Sequence, residues 1–158
     1  MKRTVLAATL LCVCCDHKPA ASGITPKVAV QPDTVDLGVG TVELPKGFTH
    51  SRDEGIDGLV GHFTSPDGTL VIRYDIGPMA GVYATYPSHK PVVSSAELKA
   101  GQLIGQFIIV GATTQTAIVS FPTVGPTNFT TDASKEGGIE TLKTLASTFK
   151  PKDRENQP

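Results

Sequence analysis

The chain has 158 residues, 39% of them hydrophobic and 18% charged, with a formal net charge of −1. That is the length of one domain with enough apolar material for a core, which excludes wholesale disorder. No run of lysines or arginines reaches three, which excludes the basic stripe of a nucleic-acid-binding protein.

The N-terminus reads as an export signal. Lys2 and Arg3 precede a nine-residue, mostly apolar run, Val5 to Val13. A spanning helix needs about 20 apolar residues, so the run is too short to cross a membrane alone and fits a signal peptide. All three cysteines, Cys12, Cys14 and Cys15, fall here, and the remaining residues contain none. Zinc ligation needs a second ligand pair, a redox C-x-x-C needs a strand–helix context, and a structural disulfide needs a partner in the body.

A fourth reading of the cysteines is a lipid anchor. Residues 11–15, "LCVCC", resemble the lipobox of bacterial lipoproteins, whose cysteine is acylated and becomes the mature N-terminus. With Cys15 as anchor, Cys14 supplies the small residue before it, but Cys12 stands where leucine is usual. With Cys14 as anchor, Leu11 is correctly placed but Val13 is large. The resemblance implies a domain lipid-anchored at the bacterial cell envelope, with the membrane as its partner. Cleavage after Ser22, giving a periplasmic or secreted protein, is the alternative, and an uncleaved cytosolic chain a third.

Residues 16–34 hold three prolines and no periodicity, which predicts a semi-rigid tether. One folded domain is expected over 35–150. A short strand is expected at Thr41–Leu44, then a turn at Pro45-Lys46-Gly47. Two strand-like runs flank Ser65-Pro66-Asp67-Gly68, a turn sequence. In the second run Leu70, Ile72, Tyr74 and Ile76 alternate with Val71, Arg73 and Asp75, the period of a half-buried antiparallel strand. Residues 77–91 are irregular. "SSAELKA", 94–100, has Ser94 and Glu97 at capping-box spacing and predicts one or two helical turns stopped by Gly101. "QFIIVG" and "QTAIVSFP" predict a second hairpin, and "TNFTTD" a last strand.

Over 135–149, Ile139, Leu142, Leu145, Ala146 and Phe149 recur at three- and four-residue steps, an amphipathic helix. Thr131, Asp132 or Ser134 is expected to cap it. Gly137 and Gly138 each weaken its first turn by up to about 1 kcal/mol. Pro151 ends it, and 151–158 read as a disordered tail. Strands first and a helix last predict α+β: an antiparallel β-sheet with a C-terminal amphipathic helix packed on one face.

Arg73 and Asp75, at a strand end running into a glycine-punctuated loop, are the leading binding candidates. An arginine there can pair with a ligand carboxylate or phosphate. The competing reading is a solvated Arg73–Asp75 ion pair with Tyr74 in the core. Met79, Tyr83, Tyr86 and His89 form either a binding surface or the loop's own small core. Of the four histidines, none has metal-helix spacing. His50 and His62, with Asp57 or Asp75, form the acid–base set of an alternative reading as a small hydrolase. There is no G-x-S-x-G elbow and no phosphate or dinucleotide loop, and nothing asks for a cofactor or metal.

Residues 44–81, with "LPKGF" and "GIDGLVGHFTSPDGTLVIRYDIGPMAG", resemble a family of uncharacterised exported bacterial proteins and lipoproteins with a GID…G…DG…IxYDIG core. "LPKGF" and the closing "TLASTFKP" also resemble PsbP-like domains, which implies an antiparallel sheet flanked by helices. The two resemblances imply no catalytic residue. The sequence therefore predicts an envelope-tethered, non-enzymatic binding or accessory domain for an unknown protein or small-molecule partner.

Overall fold

The computed structural model describes residues 33–78, Ala80 and 90–152. The leader with Cys14 and Cys15, most of the tether, Met79, Tyr83, Tyr86, His89 and residues 153–158 lie outside the described residues.

The fold is α+β. Strands β1 (Thr34–Asp36) and β2 (Gly40–Glu43) open the chain. Then come β3 (Thr49–Asp53), β4 (Leu59–Thr64), β5 (Val71–Ile76), β6 (Val92–Ala100), β7 (Leu103–Val110), β8 (Thr116–Phe121) and β9 (Thr127–Asp132). The helix α1 (Gly138–Ser147) and a two-residue strand β10 (Lys150–Pro151) follow. Strands β3 to β9 make one antiparallel sheet in the order β3-β4-β5-β9-β8-β7-β6, and β1-β2-β10 make a small second sheet.

The β4–β5 hairpin forms where alternation predicts it. Leu70, Ile72, Tyr74 and Ile76 are buried, whereas Arg73 between them is exposed. Its turn closes as the residue types require: Gly68 adopts φ +71° and donates its N–H to the Ser65 carbonyl at 2.9 Å. The Asp67 carboxylate accepts from Ser65 Oγ and from the Thr69 N–H and hydroxyl. Those bonds, Ser65 first, hold its pKa down to about 2. Gly47, at φ +82°, likewise completes the turn in which Phe48 N–H donates to the Pro45 carbonyl.

One face of the large sheet, here the inner face, packs against α1 and the small sheet. Phe63, Ile72, Phe107, Val119, Phe121 and Phe129 meet Leu142, Leu145 and Ala146 of the helix and Val42 of β2 in one buried cluster. Phe149 turns in just after the helix, its ring 5.5 Å from that of Phe121 and 5.8 Å from that of Phe129. Each such side chain contributes about 1.5–3 kcal/mol by leaving water. The Glu43 N–H donates to Thr148 Oγ1 at 2.9 Å, fastening β2 to the helix end.

Three expectations are corrected. Residues 94–100 are not helical: they belong to β6, paired with β7 from Ser94↔Ile109 to Ala100↔Leu103. The long-range ladder overrides the local helix preference of Ala-Glu-Leu-Lys. The helix cap is none of Thr131, Asp132 or Ser134 but Gly137, at φ +69° and with no side-chain cap bond. Asp132 instead closes the preceding turn, accepting from the Ser134 N–H and hydroxyl at 2.9 and 2.7 Å. Finally, ordered chain extends past the expected limits at both ends. Thr34 starts β1, and Pro151 lies in β10, followed by Lys152, whose N–H donates to the Val39 carbonyl.

Candidate functional site on the outer sheet face

The period of two that buries Tyr74 turns Arg73 and Asp75 to the other, outer face. Register then decides their neighbours. Ser51, His62, Arg73, Thr130, Ile118 and Ile108 stand in one cross-strand row. Asp53, Val60, Asp75, Asn128, Ser120 and Gln106 stand in the next. A polar row therefore crosses the sheet, and at its centre Asn128 and Ser120 are fully buried. The Ser120 hydroxyl has no hydrogen-bond partner among the described residues.

Arg73 and Thr130 line two adjoining cavities on this face. One, of about 400 Å³, is lined by Thr69, Val71, Thr114, Gln115, Asp132 and Lys135, and its wall is more apolar than polar. The other, of about 330 Å³, is walled by Asp53, Val60, Asp75 and Asn128. Among the described residues, neither Arg73 nor Lys135 has an ion-pair partner. The expected Arg73–Asp75 pair is thus not formed: the two side chains share a face but each faces a different row. Burial pushes the Asp75 carboxyl above its usual range. Asp132 is held below its usual range by its bonds from Ser134, with Lys135 adding a smaller effect, so its charge is already engaged.

The two histidines of the hydrolase reading lie on opposite faces. His50 is opposite Phe63 in the ladder and points inward. Its ring centroid is 5.3 Å from that of Phe63 and 5.7 Å from that of Tyr74, and Nε2 shares a 2.9 Å hydrogen bond with the Tyr74 hydroxyl. Gly61 makes room for that hydroxyl, since a Cβ there would collide with Tyr74 Oη and the Ser51 carbonyl. Burial first, then the Arg52 and His62 charges, pull the His50 pKa down. His62 points outward, its Nδ1 3.1 Å from Asp53 Oδ2. Asp57 sits in the exposed turn before β4 and joins neither.

Sequence reasoning missed Asp53, Thr130 and Lys135. The signal for one was present: "TNFTTD" alternates, so Thr130 shares a face with Asn128. The cross-strand register that brings them to Arg73 is not a local property. Among the described residues, no group of three or more histidine, cysteine or acidic side chains is set to hold a metal ion. No described helix is long and apolar enough to cross a membrane. Compared with known proteins, the chain matches no protein family and no curated protein.

Proposed function

We propose that the chain is a non-enzymatic binding domain, tethered at the bacterial cell envelope through Cys15 or Cys14, that takes a small anionic ligand at Arg73. One observation carries the reading: Arg73, the charged residue common to the two adjoining cavities, forms no ion pair among the described residues. A guanidinium held at a cavity wall presents donors that match a carboxylate or phosphate two at a time. Lys135 adds a second positive charge, and the hydroxyls of Thr114, Thr116 and Thr130 add donors for the remaining oxygens. The leader and the proline-containing tether support placement at the envelope.

The test is an amide-shift titration of the full chain by NMR with inorganic phosphate and, separately, citrate. The expected shifts centre on Arg73, Thr130 and Lys135 and vanish in Arg73→Ala. Shifts that survive Arg73→Ala, or none with either anion, refute the reading.

A second reading, hydrolysis, is favoured by the His62–Asp53 contact, because Ser51 stands directly across the ladder from His62. That order of residues resembles a nucleophile, a base and its orienting carboxylate. Among the described residues, however, no side-chain hydrogen bond joins Ser51 to His62. Turnover of p-nitrophenyl acetate that is lost in both Ser51→Ala and His62→Ala would favour this reading over simple binding.

A further inference from the structure

We infer that β6 is a self-association edge: two copies pair antiparallel through β6 about a two-fold axis at Leu98, continuing one large sheet into the other. The inference starts from the two edges of the seven-stranded sheet. At one edge, β3 is short, and Arg52 Nη2 donates to the Asp36 carbonyl at 3.1 Å, tying that edge to the small sheet. At the other, β6 is nine residues long, is exposed over most of its length and, among the described residues, pairs with β7 alone. A long open edge strand is a template for another strand.

Its backbone polarity is fixed by the hairpin it closes. Gly101, at φ +59°, and Gln102 form a two-residue loop between the paired residues Ala100 and Leu103. The closing pair of such a hairpin exchanges both backbone hydrogen bonds, and the pairs alternate from there. Ala100, Leu98, Ala96 and Ser94 therefore turn their N–H and C=O groups toward β7. Lys99, Glu97 and Ser95 turn theirs outward, toward the open edge.

Charge then selects one register. With the axis at Leu98, Glu97 of each copy stands directly opposite Lys99 of the other, both through outward-facing backbone groups. Two hydrogen-bonded, oppositely charged cross-strand pairs result, each favourable in a sheet. Within one chain, the same two side chains stand 3.9 Å apart, largely exposed. Moving the axis to Glu97 sets Glu97 against itself, which is repulsive. Moving it to Ala96 sets Glu97 against Ser95 and Lys99 against Val93, with no charge match. The arrangement is isologous and closes after two copies.

The experiment is sedimentation of the full chain over a dilution series. The wild type is expected at twice 16.6 kDa. Glu97→Lys and Lys99→Glu each replace two attractive pairs with two repulsive ones and should weaken the dimer roughly tenfold or more. The double exchange Glu97→Lys with Lys99→Glu restores opposite charges across the axis and should restore the dimer. A wild type that is monomeric throughout overturns the inference. So does a dimer indifferent to both single changes, or a double exchange that fails to restore association.

Discussion

The two faces of the seven-stranded sheet are built from the same strands, residue by residue in alternation, and do different work. Along β5 the inward residues Ile72, Tyr74 and Ile76 join a continuous apolar core with α1. The outward residues Arg73 and Asp75 line cavities that mix polar and charged side chains with apolar wall. On the inner face, neighbours are close-packed and any change of volume is felt. On the outer face, Asn128, Ser120, Ile118 and Ile108 are buried as well, but at Arg73, which is exposed, a side chain can be exchanged without opening a hole. The lesson is that stability and recognition are separable along β5: face and burial together predict what a residue's loss will cost.

The largest break falls on the inner face. Phe129 is fully buried and packs edge-on against Phe121 at 6.5 Å and Phe149 at 5.8 Å. Phe129→Ala should cost about 3–5 kcal/mol, measured by urea unfolding, with loss of binding only through loss of fold. Next is Gly61→Ala. Its methyl group has no space beside Tyr74 Oη and the Ser51 carbonyl, so overpacking should cost about 1–3 kcal/mol and break the His50–Tyr74 bond.

A smaller effect comes from pH. Burial lowers the folded pKa of His50 below its unfolded value of 6.5. Above that value the ring is neutral in both states and its contribution is intact. As pH falls from 6.5 toward the lower folded value, the unfolded chain binds the proton more readily, and stability is lost. His50→Gln should flatten that part of the stability–pH profile, and an unchanged slope would contradict the inward placement of His50.

The smallest effects belong to the outer face. Asp75 has the opposite sign: its folded pKa is raised by burial, so its favourable contribution is complete below the unfolded pKa and is lost as pH rises through the folded one. Asp75→Asn should therefore be slightly more stable than wild type at neutral pH, within about 0.5 kcal/mol.

The division between faces also explains what could be read from the sequence. Where one face is buried and the other wetter, alternation survives, and the β4–β5 hairpin was legible; β9 is buried on both faces over most of its length and shows only as a short strand-like run. The α1 stripe was legible for the same reason at a different period. β3, "THSRD", and β6, "VVSSAELKA", lie at the sheet edges, where both side-chain sets are largely exposed. No apolar alternation is imposed there, so β6 displays only its local helix preference. The site was half legible. Arg73 and Asp75 announce themselves by facing away from a buried run. Thr130, Lys135 and Asp53 reach them only through β5–β9, β4–β5 and β3–β4 pairing, which no local window contains. His50 and His62 were misjoined because the register sets them on opposite faces.

The measurement that tests the separation most directly is the melting temperature of the full chain with and without inorganic phosphate, for wild type and Arg73→Ala. Phosphate raises melting temperatures generally by exclusion from protein surfaces, so the variant supplies the baseline. A ligand bound only by the folded state adds a further rise that follows its occupancy. The account predicts that both proteins melt together without phosphate, within about 0.5 kcal/mol of stability, and that the wild type rises further than Arg73→Ala as phosphate is added. Equal rises in the two proteins, or an Arg73→Ala protein already unstable without phosphate, would contradict it.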